Sequence, residues 1–396
     1  MPVKSWCRDV EPGAMKQAAD LAAHPAARFH VALMPDCHQG YGMPIGGVVA
    51  CENAVIPNAV GVDIGCGMAA VMTDFEIPRA KGGRLEGILK KIMAEVRRAV
   101  PLGEGKSHGT PRRWKGFDEY SERVEDNKPG WMDSKTWNLA TRGLGTLGGG
   151  NHFIEIQRSA DGTMWLMLHS GSRNLGYKIA SWHHKKAVEF DKAEGLETPN
   201  KDLAWFPADS APGREYVRDM SFAADFAAEN RARMLAAVKE AVANAISGVS
   251  FPEEINIHHN YAALERHAGM ELWVHRKGAT RAGKGELGII PGSMGTASYI
   301  VEGLGNPASF ESCSHGAGRR MGRNEASRRL DPAKCDADMR GVIFDGWKRS
   351  KRRKGAGPLD LSEAPAAYKD IGEVMKSQKD LVVPLVRLTP LAVLKG

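Results

Sequence analysis

Gly61-Val62-Asp63-Ile64-Gly65-Cys66-Gly67-Met68 sets a carboxylate and a thiol three residues apart on a backbone punctuated by glycine. Glycine accepts positive φ and lets main chain come close to another group, at an entropic cost. A hard oxygen donor beside a soft sulfur donor suits a divalent transition metal better than magnesium or calcium. The same string also reads as a tight turn, with Asp63 capping backbone N–H groups and Cys66 buried as a small hydrophobe. The runs Val48-Val49-Ala50-Cys51 and Ala69-Ala70-Val71-Met72 on either side read as short strands, so the turn is expected between strands.

Working outward, Leu85, Ile88, Leu89, Ile92 and Val96 share one face of a helix expected over 85–100. A second glycine-rich segment, residues 143–150, leads into Asn151-His152-Phe153-Ile154-Glu155-Ile156, which alternates like a strand, and Trp165 to Leu168 reads as another. Residues 214–246 read as one or two long scaffold helices. The last strands are expected at 381–386 and 391–394. No linker or internal repeat divides the chain, and glycine turns recur from about residue 40 to 320. This pattern predicts a single α+β domain over 1–396, mixed sheets with surrounding helices around one central cleft.

The chain has 396 residues, 42% hydrophobic and 26% charged, as in a soluble globular protein. It has no run of 18 apolar residues, so no membrane span is expected, and no apolar leader, which favours the cytoplasm. The six cysteines form no C-x-x-C pair, which argues against a zinc ribbon. A net charge of +7 favours polyanionic partners such as nucleic acid. The densest basic run, Lys348 to Lys354, reads as a solvated surface loop.

Histidines recur beside glycine or asparagine: His152 in GGGNHF, His169 in LHSGSR, His258-His259 in NIHHNY and His315 in SHGAGR. One such histidine is ordinarily structural, but several beside an Asp/Cys turn point to transition-metal ligands. Asp63, Cys66, His152, His169 and His259 are the candidate set for two divalent ions, with the Cys66 thiolate able to bridge them. The glycine runs 148–150 and 316–318 can cradle phosphate through backbone N–H groups, and Arg173 adds a bidentate fork for an anion. No Walker pattern and no strand–GxGxxG–helix unit is present, so a P-loop ATPase and a Rossmann dehydrogenase fit poorly.

The strings MPDCHQGYGMPIGG (34–47), GVDIGCGM (61–68), LGGGNHFIEI (147–156), LHSGSRNLG (168–176), HHNY (258–261), HRKGATRAGKGELGIIPGSMGTASYIVEG (275–303) and SHGAGR (314–319) closely resemble, in colinear order, the RtcB family of RNA ligases. The resemblance implies a GTP- and Mn²⁺-dependent enzyme. It joins RNA ending in a 2′,3′-cyclic phosphate or 3′-phosphate to a 5′-hydroxyl end through a histidine–GMP intermediate and an RNA–ppG end, in tRNA splicing or RNA repair. It implies two Mn²⁺ on Asp63, Cys66, His152, His169 and His259, and His315 as the guanylylated nucleophile. It implies guanosine nucleotide contacts from Asn151, Phe153, Glu155, Ser293, Ser298, Ala317, Gly318, Tyr368 and Lys395, and Arg173 on RNA or GTP phosphates. His258 and His275 do not match family ligands. Many relatives work with an activating partner, archease. Cys37 replaces a commonly aliphatic residue, and residues 103–135 match no family string. The runner-up is a metal-dependent RNA phosphodiesterase or cyclic phosphatase without ligation; a non-enzymatic RNA-binding module with structural metals fits less well, because the donors are dispersed.

Overall fold

The computed structural model describes residues 1–77, 83–351 and 356–396. Part of the basic run 348–354 therefore lies outside the described residues; its start enters a short strand, Arg349–Lys351. The architecture is α+β. A seven-stranded sheet runs in the order Leu287–Ile290, Ser298–Gly303, Val382–Lys395, Phe153–Ser159, Thr163–Ser170, Gly67–Glu76, Glu253–His258, every neighbouring pair antiparallel. A five-stranded sheet runs Val3–Ser5, Ala27–Tyr41, Met43–Cys51, Met270–Lys277, Asn260–His267.

Side chains alternate across a strand, and here both faces are covered. Ala69, Val71, Ile154, Ile156, Leu166 and Leu168 pack under the helices Gly83–Ala99 and Ala211–Ala245, against Leu89, Ile92, Val96, Met234 and Val238. Met68, Ala70, Phe153, Trp165 and Met167 face the other way, onto Ile289, Met294, Ile300 and Val393. The expected helix at 85–100 is Gly83–Ala99, and the expected 214–246 segment is one uninterrupted helix of 35 residues. The two strands expected at the C-terminus are a single strand, Val382–Lys395. It runs through Pro384 and Pro390 because register shifts fall at Ile300/Val301 on its neighbour and at Pro390/Ala392 on the strand itself, and an irregular register is where a strand tolerates proline. Residues 103–135, which match no family string, carry the helix Lys115–Arg123, whose Phe117 and Tyr120 pack with Trp131 against Phe222 of the long helix.

Register brings the candidate ligands to one end of the larger sheet. Met68 pairs with His169 and Phe153 pairs with His169 from the other side, so Cys66, His152 and His169 stand in adjacent rows. His259 is the one residue between the strand Glu253–His258 of the seven-stranded sheet and the edge strand Asn260–His267 of the five-stranded sheet, and its N–H donates to the Cys66 carbonyl at 2.8 Å. The crossing is tight at Gly67, where a Cβ would lie 1.9 Å from the Ile257 carbonyl oxygen.

Two consecutive buried side chains of the long helix hold the turns in place. Asn230 accepts from the N–H groups of Gly145 and Thr146 (2.7 and 3.0 Å) and donates to the carbonyls of Thr146 and Gly171. Arg231 donates to the carbonyls of Gly65 and Ser170 (2.8 and 3.0 Å) and to Asn256 Oδ1 at 2.7 Å. Burial draws the Arg231 pKa down to about 10, against the charges of Cys66 and Asp63. Replacing it takes this donor from the Ser170 carbonyl and leaves the Gly65 carbonyl with only His258 Nδ1 at 2.9 Å, in a dry site where a lost donor costs about 1–3 kcal/mol. Arg231→Leu is therefore expected to lose about 3 kcal/mol of stability in urea unfolding; an unchanged midpoint would refute the anchoring role.

Candidate active site

The five candidate donors form a continuous chain of contacts. Asp63 Oδ2 lies 3.3 Å from His152 Nε2, and Cys66 Sγ lies 3.5 Å from His152 Nε2 and 3.3 Å from His169 Nε2. His169 Nε2 in turn lies 3.3 Å from His259 Nε2. Two donors on one tetrahedral ion with bonds of about 2.0–2.3 Å stand roughly 3.5 Å apart, the spacing seen here. Cys66, His152 and His169 form the tightest group. The second nitrogens are fixed by main chain: His152 Nδ1 is 2.9 Å from the Leu147 carbonyl and His169 Nδ1 is 3.2 Å from the Asn151 carbonyl. With Nδ1–H donating, the Nε2 lone pairs of both rings turn toward Cys66.

The electrostatics suit a cation. Burial works against ionisation of Asp63, yet the hydrogen bond and charge of His152, with Cys66 and Arg173, hold its pKa at about 2. Burial, reinforced by neighbouring His152 and His315, pushes His169 well below the usual imidazole range, and burial does the same to His259. Burial and the Asp63 carboxylate push the Cys66 thiol well up; a thiol held between a carboxylate and imidazoles ionises readily only with a metal on it. Arg173 begins the helix Arg173–Glu194 at φ +58° and donates from Nε to Thr146 Oγ1 at 3.3 Å. Its guanidinium lies over Gly148, where a Cβ would come within 1.8 Å of Nη1 and where a φ of +92° favours glycine.

The strand Ser312–Ser314 delivers His315 beside this cluster, its ring centroid 4.8 Å from that of His259. His315 Nδ1 sits 2.6 Å from Asp36 Oδ2, which also accepts the His315 main-chain N–H at 3.1 Å. His315 opens onto a cleft lined by Asn151, Phe153, Glu155, Ser293, Ala317, Gly318, Tyr368 and Lys395, all named from sequence. Ser298 is not in that lining: it stands behind, its Oγ accepting from Gln157 Nε2 and Gly292 N at 3.1 Å each. His258 and His275 are structural. His258 Nδ1 meets Arg231 and the Gly65 carbonyl, and His275 Nε2 accepts from the Ile56 N–H.

Residues 17–396 match the model of a family described as "tRNA-splicing ligase RtcB". The "RNA-splicing ligase RtcB" of Escherichia coli K12 is 39% identical over 421 residues, covering 100% of this chain and 97% of that protein. A Mycobacterium tuberculosis protein of the same name is 33% identical (96% and 100% covered), and the "tRNA-splicing ligase RtcB" of Pyrobaculum aerophilum 32% (96% and 91%). The chain belongs to the RtcB ligase family, and it is an enzyme.

Sequence reasoning passed over two residues of this RtcB site. Asp36 lies inside the quoted string MPDCHQGYGMPIGG, where nothing local marks it; its partner, His315, is 279 positions away. Glu363 collects Tyr368 OH (2.6 Å), Lys395 Nζ (3.0 Å), Arg319 (3.2 Å) and Arg323 (3.3 Å) at the far end of the cleft. Burial opposes its ionisation, but Lys395, Tyr368 and the arginines hold its pKa at about 2. Arg319 and Lys395 also lie over the rings of Tyr368 and Phe153.

Glu155 behaves in the opposite way. Burial raises its pKa from 4.5 to about 8, against the pull of Gln157 and Lys395. A carboxyl raised on folding contributes stability below its unfolded pKa and loses it as pH rises toward the folded value. Nucleotide-free protein is thus expected to lose stability relative to Glu155→Gln between pH 4.5 and 8 in urea unfolding; a difference independent of pH would contradict a protonated Glu155.

Proposed function

We propose that this enzyme is a GTP- and Mn²⁺-dependent RNA ligase that joins 2′,3′-cyclic phosphate or 3′-phosphate ends to 5′-hydroxyl ends, in tRNA splicing or RNA repair. The observation that carries this reading is the alignment of His315. Its Nδ1 faces the Asp36 carboxylate at 2.6 Å, which leaves the Nε2 lone pair for the cleft between the donor cluster and the Glu155/Lys395 end. Asp36 would favour the tautomer that carries its proton on Nδ1, by charge and proximity rather than by an aligned hydrogen bond, and so leave Nε2 as the nucleophile.

The donor set of thiol, three imidazoles and carboxylate fits first-row divalent ions. Asp63, His152 and Cys66 would hold one ion, and Cys66, His169 and His259 a second, with the sulfur shared. Ions bound there would supply charge neutralisation and polarisation of phosphoryl oxygens. The remaining work falls to the chain itself. His315 Nε2 forms a bond to the α-phosphorus of GTP as the bond to the bridging oxygen breaks and pyrophosphate leaves. Asp36 offsets the positive charge that develops on the phosphorylated ring. An oxygen of the RNA 3′-phosphate then attacks the same phosphorus, the N–P bond breaks, and His315 returns to its neutral form with an RNA–ppG end made. Attack of the 5′-hydroxyl on the RNA phosphorus expels GMP and seals the strand. Arg173, stacked over Gly148 beside Asp63, is placed to bind a phosphate of RNA or GTP.

Phe153 and Glu155 would border the guanine, Ser293, Ala317, Gly318, Tyr368 and Lys395 would contact the guanosine nucleotide and Asn151 its phosphate, with Ser298 acting from behind through Gln157, which also donates to Glu155 Oε2 at 2.7 Å. Glu155, protonated in the nucleotide-free protein, would ionise against guanine and accept from its N1–H and 2-amino group, donors that adenine lacks at those positions. Archease is the proposed activating partner and the cytoplasm the proposed location. Among the described residues, no helix is long and apolar enough to cross a membrane.

Incubation with α-labelled GTP and Mn²⁺ is expected to give acid-labile protein label. Such label should be absent in His315→Ala, lowered by roughly 10²–10⁴ in rate in Asp36→Asn, as for other histidines deprived of a carboxylate, and not formed from ATP. Equal labelling of His315→Ala would overturn the nucleotidyl-transfer reading, and equal use of ATP would overturn the role of Glu155.

A further inference from the structure

The segment Gly103-Glu-Gly-Lys-Ser-His-Gly-Thr-Pro-Arg-Arg113 resembles no family string, yet it is fastened to the glycine run that carries Asn151 and His152. Leu147 N–H donates to the Pro101 carbonyl, Gly103 N–H to the Gly148 carbonyl at 3.1 Å, His108 N–H to the Arg142 carbonyl at 2.9 Å and Arg112 N–H to the Thr141 carbonyl at 2.9 Å. The segment is therefore a fixed rim on the side of Arg173.

Apart from the carboxylate of Glu104, whose charge acts on Arg173, its charged side chains form a cationic face. His108 sits between two guanidinium groups: Arg112 Nη2 is 3.1 Å from Nδ1, and Arg233 packs against the same Gly145 whose carbonyl lies 3.3 Å from Nε2. With Arg112 donating to Nδ1, Nε2–H donates to Gly145 and the ring is neutral. Burial, then Arg112 and Arg233, lower its pKa, against the Gly145 hydrogen bond. Its work is to aim Arg112. Arg233 also donates from Nη2 to the Arg113 carbonyl at 2.6 Å, and its Nε is matched by Glu229 at 2.7 Å. Lys106, Arg112 and Arg113 are exposed, and among the described residues none forms an ion pair with a carboxylate. From this face the chain runs through Gly145 and Thr146, whose N–H groups are held by Asn230 and whose Thr146 hydroxyl accepts from Arg173.

We propose that Lys106, Arg112 and Arg113 form a docking rim for the phosphodiester backbone of single-stranded RNA, leading the strand onto Arg173 and the donor cluster. A rim of unpaired cations on a fixed loop contiguous with a phosphate-binding arginine fits a repeating anion better than a single small one. It would bind through counterion release, without reading sequence. The inference rests on the RNA-ligase reading of the site but uses residues outside it.

The test is fluorescence anisotropy of the full-length protein with two labelled twelve-nucleotide RNAs, one ending in a 3′-phosphate and one beginning with a 5′-hydroxyl, over a series of salt concentrations. Arg112→Gln/Arg113→Gln is compared with wild type and with the charge-matched control Lys16→Gln/Arg28→Gln. The rim predicts about tenfold weaker binding of at least one RNA and a salt slope reduced by roughly 1–2 phosphate contacts in the rim variant alone. His315 labelling by GTP should be unchanged, and the RNA that loses affinity identifies the strand that crosses the rim. Unchanged affinity and slope for both RNAs, an equal loss in the control, or loss of GTP labelling in the rim variant would each overturn the rim. Failure of wild-type protein to label at all would instead overturn the ligase reading.

Discussion

Everything in the site depends on buried polar side chains of one helix satisfying the main chain of two irregular turns. A turn that brings a thiol and a carboxylate inward must expose its own carbonyls to a dry interior, which is costly without donors. Arg231 supplies them to Gly65 and Ser170, and Asn230 serves the glycine run 145–146 from the same helical turn. The long helix thus sets the distance between the Asp63/Cys66 turn, the His152 loop and the end of the His169 strand. Its apolar residues, Met234 and Val238 among them, weld that arrangement to the sheet.

Within this frame the two ends of the cleft have opposite electrostatics. At the donor cluster, imidazoles are kept neutral by burial and a carboxylate is kept ionised, so lone pairs and negative charge converge. At the other end Glu363 is ionised among Lys395, Arg319 and Arg323, while Glu155 lies deeper and is held protonated by burial. Pushing two carboxyls of one cleft in opposite directions lets one anchor cations and leaves the other able to respond to a ligand's hydrogen-bond donors. His315 stands between these ends, joined to the first through His259 and to neither by a direct hydrogen bond.

Residue types at glycine turns brought the five donors forward, and the family resemblance brought His315 and the nucleotide residues; each of the five donors, His315 and eight of those nine residues lie at the cluster or in the cleft lining. What sequence could not give was register. That His259 is the single residue between two sheets follows from strand pairing over distances of nearly two hundred positions. Asp36 escaped for the same reason, since a buried aspartate inside a fifteen-residue strand has no local signal of its partner. Ser298 was matched as a direct contact, but its strand turns it behind Gln157. The C-terminal strand was expected as two pieces, 381–386 and 391–394, because the register shift at Pro390/Ala392 that lets it run on is invisible from one segment alone.

The central claim is that one sulfur, Cys66 Sγ, is shared between two metal positions, one toward Asp63 and His152 and one toward His169 and His259. Anomalous diffraction at the manganese edge from crystals grown with Mn²⁺ measures this directly. The account predicts two peaks, each within bonding distance of Cys66 Sγ, one against Asp63 and His152 and the other against His169 and His259. A single peak, or two peaks of which only one lies within bonding distance of that sulfur, would contradict it.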